Sequence, residues 1–205
     1  MPPPPPPTPT VTRAAGRQHS PLLRLIFCTL LALIVFFGAV VLIIWLTVHP
    51  RKFKYSIEQG SISGFNLTRN DRLTADFQFF VRANNPNRRT SVYYDKIDAT
   101  VSYDDQVLST ASLPPFHQPR RNVTQLDLHL KAAEAALYGA VARDLRMERA
   151  AREIGVDLRI RANIRLKIGV FKIHRKLNVL CGPAIVPFNS SKGFERVYCE
   201  VDFDD

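Results

Sequence analysis

Between residues 156 and 168 apolar and polar residues alternate without a break, with Val156, Leu158, Ile160, Ala162, Ile164, Leu166 and Ile168 separated by Asp, Arg, Asn and Lys. Successive side chains of a strand point to opposite faces, so the pattern predicts a long strand with one buried and one wet face. A helix would scatter the same residues around its circumference. The period of two recurs at Leu73, Ala75, Phe77, Phe79 and Val81, and again at Leu126, Leu128 and Leu130. Further strands are predicted over residues 55–62, 92–103, 107–113, 171–180 and 196–203, with Gly, Pro and Asn clustered between them as turns require. One segment changes period. Residues 131–152 are rich in Ala, Leu, Arg and Glu, with Ala133, Leu137, Val141 and Leu145 spaced by four, which predicts an amphipathic helix. Many short antiparallel strands with one helix predict a mainly β domain built as a β-sandwich.

A different pattern precedes that domain. Residues 25–48 form an apolar run of 24 residues with no charge in it. As a helix it measures about 36 Å, enough to cross a hydrocarbon core of about 30 Å with modest tilt. A cleaved signal peptide has a shorter apolar region and a small-residue cleavage site, so the run reads as a transmembrane signal anchor, with Trp45 at the level of an interfacial aromatic. The organisation expected is a tail over 1–24, a transmembrane segment over 25–48 and a sandwich domain over 49–205.

Flanking charge does not orient the anchor, since Arg13, Arg17 and Arg24 on one side are balanced by Arg51, Lys52 and Lys54 on the other. The sequons at Asn66, Asn122 and Asn189 all lie after it, three where composition predicts about one by chance. Cys28 falls within the apolar run, which leaves Cys181 and Cys199 as an even pair in the large part. An oxidising compartment would join them as a disulfide; the alternative is two unrelated buried thiols. These features predict a cytosolic N-terminus and an external, glycosylated C-terminal domain.

Charge narrows the partners. The large part holds 25 Lys/Arg and 18 Asp/Glu, a net +7 against +3 for the tail. A basic surface is either plainly solvated or attracts polyanions, here acidic wall polysaccharide or anionic lipid. Nucleic acid is excluded as a partner, because the anchor holds the domain away from it and no reader motif is present. The tail opens with six prolines, Pro2–Pro7, which form neither helix nor ladder and adopt extended polyproline II. Such a segment is a disordered tail or a ligand for an SH3-like or WW-like groove.

The short motifs read first as structure. Asn84, Asn85, Pro86 and Asn87 follow a predicted strand and suit a tight strand-ending turn. Tyr93, Tyr94 and Asp95 open the next strand, which predicts one tyrosine buried and the other exposed. Residues 114–118 hold Pro115, Phe116 and Gln118 in a rigid loop pinned to the core by Phe116. Taken together, NPN with SVYYD, then PPFHQPRRNVT, then VLCGP and VYCEVDF near the C-terminus, the set resembles the plant late embryogenesis abundant group 2 family. More narrowly it resembles the harpin-induced-like, non-race-specific disease resistance branch, also labelled hydroxyproline-rich glycoproteins. The resemblance covers nearly the whole chain. It implies an immunoglobulin- or fibronectin-like sandwich, a plasma-membrane location and a part in pathogen response or wall contact, with membrane or wall-associated proteins as partners. Cys181 and Cys199 match the family's C-terminal cysteines. The integrin-like tripeptide of some members is absent.

Catalysis finds no support in the residues. Golgi glycosyltransferases share the tail–anchor–domain layout, and Asp202 and Asp204 offer two carboxylates for a cation. They sit at the extreme C-terminus, however, and neither βαβ repeats nor a Gly-rich phosphate turn is present. The five histidines show no metal-ligand spacing and no G-x-S-x-G nucleophile motif occurs. No cofactor, metal or catalytic residue is expected. The function expected is a non-catalytic interaction module in plant defence or stress, the alternatives being a lipid-binding sandwich close to the membrane and a tether from membrane to cell wall.

Overall fold

The computed structural model describes residues 21–48, 51–188 and 193–204. The prolines Pro2–Pro7 and the sequon at Asn189 lie outside the described residues, as does the side chain of Trp45. The chain divides into two compact units, Met1–His49 and Pro50–Asp205.

The described residues of the first unit form one α-helix, α1 (Pro21–Val48). It starts four residues before the apolar run, because Pro21 is tolerated in a first turn, where its missing N–H would be unbonded anyway. None of the apolar stretch Pro21–Ile43 is buried. It is long and apolar enough to cross a membrane.

Every strand among the described residues lies in the second unit. In chain order these are β1 (Lys54–Leu67), β2 (Arg72–Asn84), β3 (Thr90–Tyr103), β4 (Gln106–Leu113), β5 (Phe116–Gln118), β6 (Val123–Ala136), β7 (Glu153–Ile168), β8 (Phe171–Pro187), β9 (Val197–Tyr198) and β10 (Glu200–Asp204), with α2 (Gly139–Ala151) between β6 and β7. Two antiparallel sheets result, one in the order β6-β2-β1-β9 and the other β10-β8-β7-β3-β4, with β5 also paired to β3. The alternating residues meet as the pattern requires. Ile57, Phe77, Phe79 and Leu128 from the first sheet bury against Ile97, Leu158, Ile164 and Leu177 from the second. The expected sandwich with one amphipathic helix is therefore the fold, and the polar positions of β7 face outward.

Three expectations need correction. Residues 131–136 are not helix but the last part of β6, where Leu130 pairs with Phe77 and Ala132 with Ala75. Helix propensity is worth tenths of a kilocalorie per residue, less than a ladder with a buried strand. A bulge at Glu134, whose φ is +51°, interrupts that pairing, which resumes at Ala135 with Leu73 and Ala136 with Arg72, and α2 begins only at Gly139 with Val141, Ala142 and Leu145 on its buried side. The rigid loop at 114–118 contains a short strand, β5, whose Phe116 stacks on Tyr94 with ring centroids 4.3 Å apart. The strand predicted over 196–203 is two strands. β9 pairs β1 in the first sheet, the chain crosses at Cys199, and β10 pairs β8 in the second.

Candidate functional site

Motif residues from three separate segments converge at one end of the sandwich, where the start of the domain at Arg51 and Tyr55 meets them. Asn85, wholly buried, donates through Nδ2 to the carbonyls of Thr90 (2.9 Å) and Pro119 (3.0 Å), while its Oδ1 accepts the Asn87 N–H at 3.0 Å. That last bond is an Asx turn, the local reason Asn suits this place. Asn87 in turn brackets the start of the domain: its Oδ1 accepts the Arg51 N–H at 2.7 Å and its Nδ2 donates to the Arg51 carbonyl at 2.8 Å.

Gln118 carries the network inward. Its Nε2 donates to the carbonyls of Ala83 (2.9 Å) and Asn122 (3.3 Å), and its Oε1 accepts the Tyr94 hydroxyl at 3.2 Å. Tyr55 donates to Tyr94 at 2.5 Å. Burial disfavours the phenolate, so the Tyr94 hydroxyl is pushed up to about 12, and that of Tyr55 lies well above the usual phenol range for the same reason, with Tyr94 adding to it. Among the described residues no buried side-chain polar atom lacks a partner. A network whose donors and acceptors are all engaged has no free group with which to do chemistry; it locks three loops to each other.

Tyr93 and Asp95 face outward on the six-stranded sheet. Tyr93 stacks on His117 at 4.2 Å, and the Arg165 guanidinium lies 5.6 Å from the Tyr93 ring. Arg165 also makes a two-pronged pair with Asp95, at 2.7 Å and 2.6 Å. Tyr94 is thus the buried tyrosine and Tyr93 the more exposed one. Asn84 and Pro86 are half-buried and Pro115 is exposed, none of them hydrogen-bonded into the hub through a side chain. The motif reading left out Tyr55 and Arg165, and it gave Asn85 only a place in the turn and His117 only a place in the loop. Arg165 was readable as an outward position of β7, whereas nothing local marks Tyr55 or Asn85 as partners of distant loops.

The other expected sites fall elsewhere. Cys181, in the core, is bonded to Cys199, joining β8 to the crossing between β9 and β10. Asn66 is exposed near the end of β1, and Asn122 is half-buried with its Oδ1 accepting the Thr124 hydroxyl at 3.1 Å. Asp204 accepts a hydrogen bond from the Asn178 side chain. Among the described residues no three His, Cys, Asp or Glu side chains gather as a metal site.

Around the hub the surface is basic. Arg51 and Lys52, Arg88 and Arg89, and Arg120 and Arg121 come from its three loops, all are exposed, and none of these side chains forms an ion pair with a described residue. A second feature is an apolar groove of about 510 Å³ between β4 and β6, lined by Leu113, Phe116, Leu126 and Leu128.

Residues 80–181, from the middle of β2 to the buried cysteine, match the sequence model of the late embryogenesis abundant protein family LEA_2. The chain is 32% identical over 191 residues to NDR1/HIN1-like protein 10 of Arabidopsis thaliana, covering 89% of this chain and 84% of that one. NDR1/HIN1-like protein 3 of the same plant is 32% identical over 189 residues, with 88% and 81% covered. The solution structure of the Arabidopsis thaliana protein AT1g01470 superposes with a TM-score of 0.40 at 14% identity, over 72% of this chain and 91% of that one, too distant to bear on function.

Proposed function

This chain belongs to the late embryogenesis abundant group 2 family, in its NDR1/HIN1-like branch, and on that premise we propose that it is a single-pass plasma-membrane protein whose sandwich is a non-catalytic interaction module in plant defence and stress response. The observation that carries the proposal is α1: 28 residues, an uncharged run of 24 and no buried residue across Pro21–Ile43. Such a surface is costly in water and favourable in hydrocarbon. The N-terminal tail is cytosolic and the sandwich external, where the Cys181–Cys199 bond and the sequons belong. The saturated hub supports recognition rather than reaction, because the motif residues shape loops and leave the contacts to the outward-facing Tyr93–His117–Arg165 cluster and the basic end. Membrane or wall-associated proteins are the partners.

The test is a PNGase F mobility shift on the full-length protein from plant cells, with Asn66, Asn122 and Asn189 each changed to Gln, beside carbonate extraction of the membranes. A shift that shrinks stepwise in a carbonate-resistant protein is the expected result. A carbonate-soluble protein, or one resistant to surface protease and unshifted, overturns it. A second reading, an apolar ligand such as a lipid held between the sheets, is favoured by the groove between β4 and β6. Lipid co-purifying with the full chain, and lost when the partly buried groove residue Leu113 is changed to Asp, would favour that reading.

A further inference from the structure

The hairpin joining β7 to β8 ends in an apolar prong at the basic end of the sandwich. Ile168 and Phe171 are the last pair of the ladder, and Gly169, at φ +59°, turns the chain through Gly169-Val170. Val170 is 87% exposed and Phe171 71%. Leu166 pairs with Ile173 and Ile168 with Phe171, so all four sit on the face that farther along β7 is core. Ile173 is nonetheless 39% exposed: the hairpin runs past the sheet that covers the rest of that face. The opposite face at the same level carries Lys167 paired with Lys172, and neither lysine makes an ion pair with a described residue.

The register places this prong. Thr90 pairs with Ile168, and Thr90 is held by Asn85, which is held by Asn87, which is held by Arg51. The hairpin tip and the point where the chain comes into the domain therefore share one end. Three peptide bonds join Val48, the last residue of α1, to Arg51, a reach of about 11 Å at most.

We propose that the Val170–Phe171 tip docks into the headgroup–acyl boundary of the bilayer that α1 crosses, with Lys167, Lys172 and the arginines of the neighbouring loops on lipid phosphate. The inference rests on the anchor reading above and adds a second point of attachment to it. An apolar wedge ringed by cations is the composition that favours an interface, since burying Val and Phe in the acyl boundary is favourable and each lysine can lie with its stem along the apolar boundary and its ammonium against lipid phosphate. Two attachments, the anchor and the tip, hold the sandwich upright on the membrane, with Tyr93, His117 and Arg165 on its flank and α2 at the far end. A free-swinging domain would sample all orientations instead.

The test uses the full-length chain, Cys28→Ser, labelled with an environment-sensitive fluorophore at Val170→Cys and reconstituted in vesicles of phosphatidylcholine alone or with about one-third phosphatidylserine. Docking predicts a blue-shifted emission quenched by brominated acyl chains, stronger in the anionic vesicles and weakened by salt. The same label at Met147→Cys on α2, at the opposite end, stays in water. Lys167→Glu with Lys172→Glu lowers the docked fraction about fivefold or more, and Phe171→Asp abolishes the shift. Carbonate extraction of the same samples separates the two readings. A resistant chain whose Val170 label stays in water overturns the docking alone, and an extractable chain overturns the anchor and with it the docking. A label shifted equally at both positions, or shifted by soluble polygalacturonate and not by vesicles, also overturns it.

Discussion

The Asn85 side-chain amide donates to the Pro119 carbonyl 3.0 Å away, across 34 residues of sequence, and the same nitrogen reaches the Thr90 carbonyl at 2.9 Å. One buried amide thus holds two loops, and its oxygen holds a third through Asn87. Asn85→Ala leaves those groups unbonded in the interior, at about 1–3 kcal/mol for each buried group left bare and less where water enters. The variant melts several degrees lower, and hydrogen exchange rises first at Asn87 and Arg121. Asn85→Asp does no better, since a carboxylate cannot donate to either carbonyl.

Tyr94 stands between Tyr55 and Gln118 as both acceptor and donor, so the two tyrosines are not equivalent. Tyr94→Phe breaks two bonds and strands the Gln118 oxygen, whereas Tyr55→Phe breaks one. Chemical denaturation is expected to show the first variant losing about 2 kcal/mol and the second about 1 kcal/mol.

The same pair sets an alkaline limit. Both hydroxyls have folded-state values raised above the ordinary phenol value, Tyr94 to about 12. The unfolded chain releases these protons first, so the stabilisation is complete below pH ~10 and drains away as the pH climbs towards 12. Thermal melts across that window fall steeply for the parent and less steeply for Tyr55→Phe with Tyr94→Phe.

Gly182 packs against Asp157. A Cβ at this position would lie 1.9 Å from the Asp157 carboxylate oxygen and 3.2 Å from its Cα. Between the pairs Val156–Ala184 and Leu158–Cys181, β8 carries two residues against one on β7, and the irregular register brings the strands too close for a side chain. Gly182→Ala is expected to cost about 1–3 kcal/mol. Asp157→Ala in the same chain recovers part of it, by removing the carboxylate but not the backbone contact.

Cys199 marks the passage from one sheet to the other, and its bond to Cys181 spans 18 residues. Closing a loop of that length in the unfolded chain is worth about 3 kcal/mol on the chain-entropy account. Cys199→Ser therefore lowers the melting temperature under oxidising conditions, and a reductant has no further effect on that variant. By contrast Asp95→Asn, which breaks an exposed pair, shifts stability by less than about 1 kcal/mol. It acts on whatever binds beside Tyr93.

Much of this protein follows from periodicity. The alternation along β7 and β2 determined which residues would be core before any partner strand was known, because side-chain direction in a strand is a local property. The uncharged run of residues 25–48 likewise determined a helix of membrane-spanning length, since that depends only on length and composition. Tertiary structure decided the rest. Residues 131–136 are strand because Ala75 and Phe77 lie beside them, a neighbour that outweighs their helical composition. Asn85 and Gln118, polar residues in loop sequence, are wholly buried because backbone carbonyls from other loops meet them there. Phe171 and Ile173 carry the same apolar pattern as the core yet remain exposed, since the covering sheet stops short of them. Whether a residue is buried is fixed by what packs over it, and for these positions the covering residues come from distant parts of the chain.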